Sequence, residues 1–327
     1  LLSDNSIDFS RYAFFHANYL YNEGKTKEAI NSLELNLKLF PTNLLLNQYQ
    51  LDLKNKKVKN FSDSFSCKNI SDNIAEVLYI ASNALSSQSA YIFSNFYLNL
   101  SKFLNENFTS LETLHAENFY NLEQYDKSMK IYNKISKKGL AYNWYASKRI
   151  ALILTNQDKN KESLNFLNKK YEKIKSPNVF QIYDYAKFLK NNQEFDESIK
   201  YYTEVLNLIS QDHYLYPKAT DGRGVSYERI GKWDEAEKDF LNSLRVSPNQ
   251  PYVINYLAYS WIEKGMNIKK SLEMLKKANE LKKNDGYIID SLGWALFKLE
   301  RYKESKNYLQ LALRLMPADP IVNDHYG

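Results

Sequence analysis

Small residues recur along this chain at a nearly constant interval, and that interval limits the possible folds more than any other feature. Ala116, Ala151, Ala186, Gly224, Ala258, Gly293 and Gly327 are separated by 35, 35, 38, 34, 35 and 34 residues. After each of the first six a second small residue follows at 12 residues, or 13 in one case: Ser128, Ser163, Ser198, Ala236, Ser271 and Ser305. Ala17 and Ala29 form the same pair 99 residues before Ala116 and Ser128, close to three further periods. Such a period belongs to stacked helical hairpins. Smallness has a steric cause, because two helices approach to ~8–10 Å only where no bulky side chain stands at their crossing. The chain is therefore expected to be all-α, a solenoid in which each pair of small residues marks the contact inside one hairpin.

The rest of each period fits a helix-turn-helix. In residues 217–250, Gly224 and Tyr227 lie on the first helix, Gly231, Lys232 and Trp233 make the turn, and Ala236, Phe240, Ser243 and Leu244 form an i, i+4, i+7, i+8 stripe on the second. Residues 286–319 repeat the plan with Leu292, Gly293, Leu296, Ser305, Leu309, Ala312 and Pro317. All seven prolines, Pro41, Pro177, Pro217, Pro248, Pro251, Pro317 and Pro320, fall at junctions between hairpins. There they stop one helix or open the next, where a missing N–H costs nothing. That also accounts for the two PxxP patterns at 248–251 and 317–320 without a polyproline ligand.

These spacings resemble the tetratricopeptide repeat, with its series of Leu-Gly, Tyr, Ala, Phe, Ala and Pro. The resemblance covers residues 10–43 as one repeat and 109–319 as six, and it implies a right-handed α-solenoid. Residues 44–108 read as two degenerate repeats whose helices lack the paired small residues, with a polar, irregular stretch at 54–69. Residues 320–327 begin a truncated repeat, and the whole of 1–327 reads as a single solenoid domain. The last third is similar to something narrower. Residues 255–267, 285–297 and 317–325 look like segments of proteobacterial exported tetratricopeptide proteins, which include outer-membrane lipoproteins and the adaptor of a carboxyl-terminal processing protease. The resemblance implies a periplasmic or outer-membrane-associated scaffold.

The sequence starts without Met, and Gly327 stands at the eighth position of a further repeat, so both ends read as edges of a longer chain. A signal peptide or lipid-anchor cysteine has room upstream. No run of ~18 apolar residues capable of spanning a bilayer is present. Cys67 is the single cysteine, which excludes an internal disulfide and a thiolate zinc site. The net charge of +6 is dispersed, with 10 basic and 10 acidic residues in 1–108, 16 and 13 in 109–216, and 18 and 15 in 217–327. A nucleic-acid reader concentrates its charge in a stripe. Nucleic acid is accordingly not an expected partner, although helical repeats of 35 residues also occur in RNA-binding pentatricopeptide proteins.

No catalytic set, cofactor motif or metal cluster can be assembled from the sequence. His16 and His115 share one repeat position, expected to be buried and structural. His213 and His325 each follow an Asp, but adjacent residues on a helix do not face each other. Asp221-Gly-Arg-Gly224 lacks the preceding strand and following Lys-Ser/Thr of a phosphate loop, and Gly224 is explained by helix packing. The acceptor patterns at Asn60, Asn69, Asn99 and Asn107 are ordinary in an Asn- and Ser-rich chain, and the lysines of 169–175 suit a helix C-terminus.

The remaining candidate is a surface. In the tetratricopeptide family the first helices line a concave face through positions 2, 5, 9 and 12, counting the small residue as 8. Carried over, these positions are Asp221, Val225 and Glu228, then Tyr252, Asn255, Tyr259 and Ile262, then Tyr287, Asp290, Trp294 and Phe297, with Asp324 in the partial repeat. Aromatic anchors beside Asn and Asp suit a protein or peptide segment. The Lys/Asn clamp with which some members hold a carboxylate tail is absent. The function expected is a non-catalytic interaction scaffold, with a periplasmic protease adaptor as the alternative carried by the resemblance.

Overall fold

The computed structural model describes residues 10–58, 65–66, 68–107 and 109–327, which form eighteen helices and no strand. Most of the stretch read as irregular, including Cys67 and Asn60, lies outside the described residues. The helices gather into two compact units, Leu1–Lys175 and Ser176–Gly327, where the repeat register alone gives one array. The first unit holds α1 (Ser10–Asn22), α2 (Thr26–Leu39), α3 (Leu44–Lys54), α4 (Ile70–Ser87), α5 (Tyr91–Leu104), α6 (Thr109–Asn121), α7 (Tyr125–Ile135), α8 (Leu140–Asn156) and α9 (Asn160–Tyr171). The second holds α10 (Val179–Asn191), α11 (Phe195–Leu208), α12 (Tyr216–Arg229), α13 (Trp233–Val246), α14 (Pro251–Glu263), α15 (Ile268–Leu281), α16 (Gly286–Lys298), α17 (Tyr302–Leu315) and α18 (Pro320–Tyr326). The fold is an all-α solenoid of helix-turn-helix repeats, and no proline falls in the interior of a helix.

The small-residue pairs mark the contacts within hairpins, and the serines add a bond to them. The hydroxyls of Ser128, Ser163, Ser198 and Ser305 donate to the backbone carbonyls of Ala116, Ala151, Ala186 and Gly293 at 2.8, 2.7, 3.1 and 2.9 Å. Ser94 does the same to Ser82 at 2.8 Å, again across 12 residues. That corrects the expectation for residues 44–108, because the α4–α5 hairpin carries the pair in register, 34 residues before Ala116 and Ser128. The signal was hidden by a serine standing where its neighbours have Ala or Gly. Ser271 is the exception. Its hairpin has one extra residue, with both Gly265 and Asn267 at positive φ in the turn, and its buried hydroxyl finds no partner.

All eight hairpins reverse on one residue in the left-handed region: Gly24, Ser89, Glu123, Asp158, Gln193, Gly231, Gly265 and Glu300. The turn therefore keeps the same period as the small pairs. In each, an N–H one or two residues later closes back on the first helix, as Lys232 does on the Tyr227 carbonyl at 2.9 Å.

In the first unit, α3 does not lead on to α4. It packs on α1, α2 and α8. Leu44 joins the core around Tyr142 and Ala146 of α8, and the Gln48 amide oxygen accepts the Ala141 N–H at 3.0 Å. A Cβ on Gly139 would lie 2.2 Å from the Gln48 side chain, so this approach requires glycine. Arg11 of α1 reaches the other first helices. Two of its nitrogens bond the Glu76 carboxylate of α4 at 2.6 and 2.7 Å, and a third bonds Ser110 of α6 at 2.9 Å. Helices α1 and α3 thus lie against α4, α6 and α8.

Candidate functional site

Within the first unit the inward positions of the first helices are already engaged by the chain itself. Glu76 and Ser110 hold Arg11, and Tyr79 lies under the same guanidinium at 5.4 Å. Glu117 accepts from Tyr132 at 2.9 Å, from Tyr145, and from Arg149 through both carboxylate oxygens. Each buried charge is paired there, as burial demands. A cleft of about 400 Å³ beside Gln48, Asp52, Asn55, Lys137 and Asn143 brings together no nucleophile and base.

The second unit differs. Asp290 on α16 is buried, and its Oδ2 meets Nδ1 of His325 on α18 at 2.8 Å while Oδ1 has no protein partner. Asn255, at the matching position of α14, likewise has a buried Oδ1 with no protein partner. The indole of Trp294 lies parallel to the His325 ring at 4.2 Å and 9° and to Phe297 at 5.1 Å and 8°. Its N–H donates to Glu263 of α14 at 2.6 Å, and the Lys298 ammonium lies over its ring at 4.6 Å. Tyr259 flanks His325 at 6.1 Å, and burial pushes its phenol up to about 12, aided by the neighbouring Glu263, Asp290 and Asp324 carboxylates. The result is an aromatic shelf over two unsatisfied acceptor oxygens, set by rigid helices. It contains no group placed for covalent chemistry, and no cluster of three or more metal-ligating side chains occurs among the described residues.

The residues expected at the site divide into three groups. Tyr259, Asp290, Trp294 and Phe297 come together around His325. Tyr252 and Tyr287 are more than half exposed; the Tyr252 hydroxyl donates to Asp285 at 2.9 Å and also accepts from Lys282, whose ammonium covers the ring. Asp221 stands apart on α12 near Lys190, Tyr183 and Tyr202. Burial raises its carboxyl to about 6, against the pull of Lys190.

Three expectations need correction. Ile262 is not inward-facing but buried with Leu272, Leu275, Leu292 and Leu296. On α18 the register points to Asp324, which is exposed, whereas His325 one residue later makes the contacts. His16 shares the repeat position of His115 but is exposed and lies 3.2 Å from Ser32; only His115 is buried, stacked on Phe119, with its imidazole pushed down to about 4 by burial. The segment at 221–224 is no phosphate loop, since it lies inside α12 and Arg223 grips the Asp239 carboxylate at 2.7 and 2.8 Å.

Stacked hairpins with a lined inner surface define a helical-repeat interaction protein. The family model described as tetratricopeptide repeat matches residues 115–327, and the chain belongs to that family. It is 28% identical over 149 residues to a TPR repeat-containing protein of Pseudomonas aeruginosa, covering 43% of this chain and 23% of that one. It is 25% identical over 175 residues to a TPR repeat-containing protein of Methanocaldococcus jannaschii, covering 50% and 30%. The chain thus spans less than a third of the length of either relative. Among solved structures it is similar to MamA from Desulfovibrio magneticus RS-1, with 15% identity, a TM-score of 0.43, and coverage of 54% of this chain and 97% of that one.

Proposed function

We propose that this chain is a non-catalytic scaffold that holds a protein or peptide segment along α14 and α16. The observation that carries the reading is the pair of buried, unpartnered oxygens, Asn255 Oδ1 and Asp290 Oδ1, at equivalent positions of successive first helices. Buried acceptors in native proteins are nearly always bonded, so two in register beside exposed aromatics call for a ligand with spaced N–H donors. Phe297, Tyr259 and Tyr287 offer the apolar contact that peptide grooves combine with such bonds. A segment supplying amide or guanidinium donors fits this site, and a free carboxylate does not. The test is selection of peptides from a displayed library, followed by calorimetric titration into Asn255→Leu and Phe297→Ala variants of unchanged helicity. Both variants are expected to weaken binding about tenfold or more; unchanged affinity in both would reject the groove.

The segments at 255–267, 285–297 and 317–325 support a finer reading, in which the scaffold works in the periplasm or at the outer membrane as an adaptor that assembles or activates a protease. Copurification from native membranes tests it, and recovery of no peptidase counts against it.

A further inference from the structure

The repeat supplies its own control for judging surfaces, and one hairpin departs from it. In α7, the positions two and one before, and two, six and nine after, the small residue Ser128 hold Asp126, Lys127, Lys130, Lys134 and Lys137, all exposed. The same positions of α11 hold Asp196, Glu197, Lys200, Glu204 and Asn207. In α5, counted from Ser94, they hold Ile92, Phe93, Phe96, Leu100 and Phe103, with exposures of 40–85%. A face that is charged in the neighbouring repeats is here entirely apolar.

Its hairpin partner continues the surface. Five residues before the small residue, helices α6, α8, α12, α14 and α16 carry Leu111, Ala146, Ala219, Val253 and Ile288, each at most 6% exposed. These residues are covered by the hairpin before them. On α4 the equivalent Val77 is 65% exposed, and Ile70 and Ile74 on the same stripe are exposed as well. The cause is that α3, which precedes α4 in sequence, packs on α8 instead. Together the α4 and α5 side chains present on the order of 1,000 Å² of apolar surface, above the ~300–600 Å² of the largest patch on an ordinary monomer. Each partner of a stable interface contributes ~800 Å².

We propose that this α4–α5 face docks on the same face of a second copy of the chain, giving a two-fold dimer. The α4 half has the form of a surface that receives a helical hairpin, and each copy presents such a hairpin. Self-pairing brings no like charges together, because Lys102 is the one charged side chain exposed on α4 or α5, Asp72 and Glu76 being buried. The polar residues interleaved with the stripe are Asn83 and Asn99, amides able to bond across a protein interface. A helix lying on lipid is instead flanked by several Lys or Arg. The area and the isologous geometry both match what a dimer needs.

Sedimentation velocity over a wide range of concentrations tests this. The protein is expected to be a dimer that dissociates on dilution. Phe93→Glu combined with Phe103→Glu should abolish the dimer with helicity unchanged, and the milder Phe103→Ser should weaken it about tenfold. Asp196→Lys, at an equivalent position of α11, should leave it intact. A wild-type monomer at every concentration would overturn the proposal, as would a dimer indifferent to the phenylalanine variants. So would a monomer that binds vesicles of phosphatidylcholine and phosphatidylglycerol through these phenylalanines, which would make the face lipid-binding.

Discussion

The hydroxyl of Ser305 donates to the backbone carbonyl of Gly293 at 2.9 Å, twelve residues back across the turn of the same hairpin. The equivalent serine of the preceding hairpin, Ser271, sits thirteen residues from Ala258 and bonds nothing. One extra turn residue separates a satisfied hydroxyl from a stranded one. Ser305→Ala should therefore cost about 1 kcal/mol, and Ser163→Ala the same, while Ser271→Ala should be neutral or stabilising, since a buried unpaired hydroxyl carries a desolvation penalty. Urea denaturation of the three variants measures this. Equal losses in all three would show that the bond adds nothing to the packing.

The crossing points should not accept added atoms. A methyl on Gly293 would lie 2.7 Å from Leu309 Cδ2 and 3.1 Å from the Leu309 backbone nitrogen. On Gly224 it would meet the Phe240 ring at 2.9 Å and the Ala236 carbonyl at 3.3 Å. Because backbone atoms are among the obstacles, the helices themselves must separate, and overpacking of this kind costs ~1–3 kcal/mol. Gly293→Ala and Gly224→Ala should each lower the melting temperature by several degrees in thermal melts. Unchanged melting in both would mean that the hairpins are not closed at these positions.

Turn residues offer the opposite experiment. Gln193 and Glu300 hold φ of 65° and 58°, a region that costs an ordinary side chain ~1–2 kcal/mol. Glycine removes that strain and gives back ~0.5–1 kcal/mol in unfolded-state entropy. Gln193→Gly and Glu300→Gly should each stabilise the protein by a few tenths to ~1 kcal/mol in chemical denaturation. Destabilisation would show that these side chains contribute contacts outweighing the strain.

Asp221 makes stability depend on pH. Burial raises its folded pKa from 3.8 to about 6, so between those values the folded state keeps a proton that the unfolded state has lost. Stability contributed by this carboxyl is therefore full below pH 4, declines as pH rises, and is gone above 6, a change of order 2 kcal/mol once partial solvent access is allowed for. Asp221→Asn should melt higher than wild type at pH 7, with the gap closing as pH falls towards 4. A gap that stays constant, or widens in acid, would place the carboxyl in a different environment.

Much of the fold is legible because a solenoid repeats its constraints. Gly293, Ser305 and the junction prolines each recur with a fixed role, and a single period exposes them together. What breaks the period is hidden. The Arg11–Glu76 pair joins residues 65 apart, outside any repeat spacing, so nothing local marks the packing of α1 and α3 against α4, α6 and α8. Ser82 passed unnoticed because a polar residue fills a role that Ala or Gly has elsewhere. The site was half visible. Asp290 and Trp294 follow from the register, whereas His325 does not, because α18 is displaced by one residue from the position that selects Asp324. The apolar stripe of α5 was present in the spacing of Phe93, Phe96, Leu100 and Phe103, but it becomes informative only beside the charged stripes of α7 and α11.

The central claim is that the inner surface of α14 and α16 receives the partner. Amide hydrogen exchange of the protein with and without a peptide selected for binding tests it most directly. New protection is predicted in Pro251–Glu263 and Gly286–Lys298, centred on Asn255, Tyr259, Asp290 and Trp294, with α15 and α17 unchanged. Protection confined to α15 and α17, or to the first unit, would contradict the account.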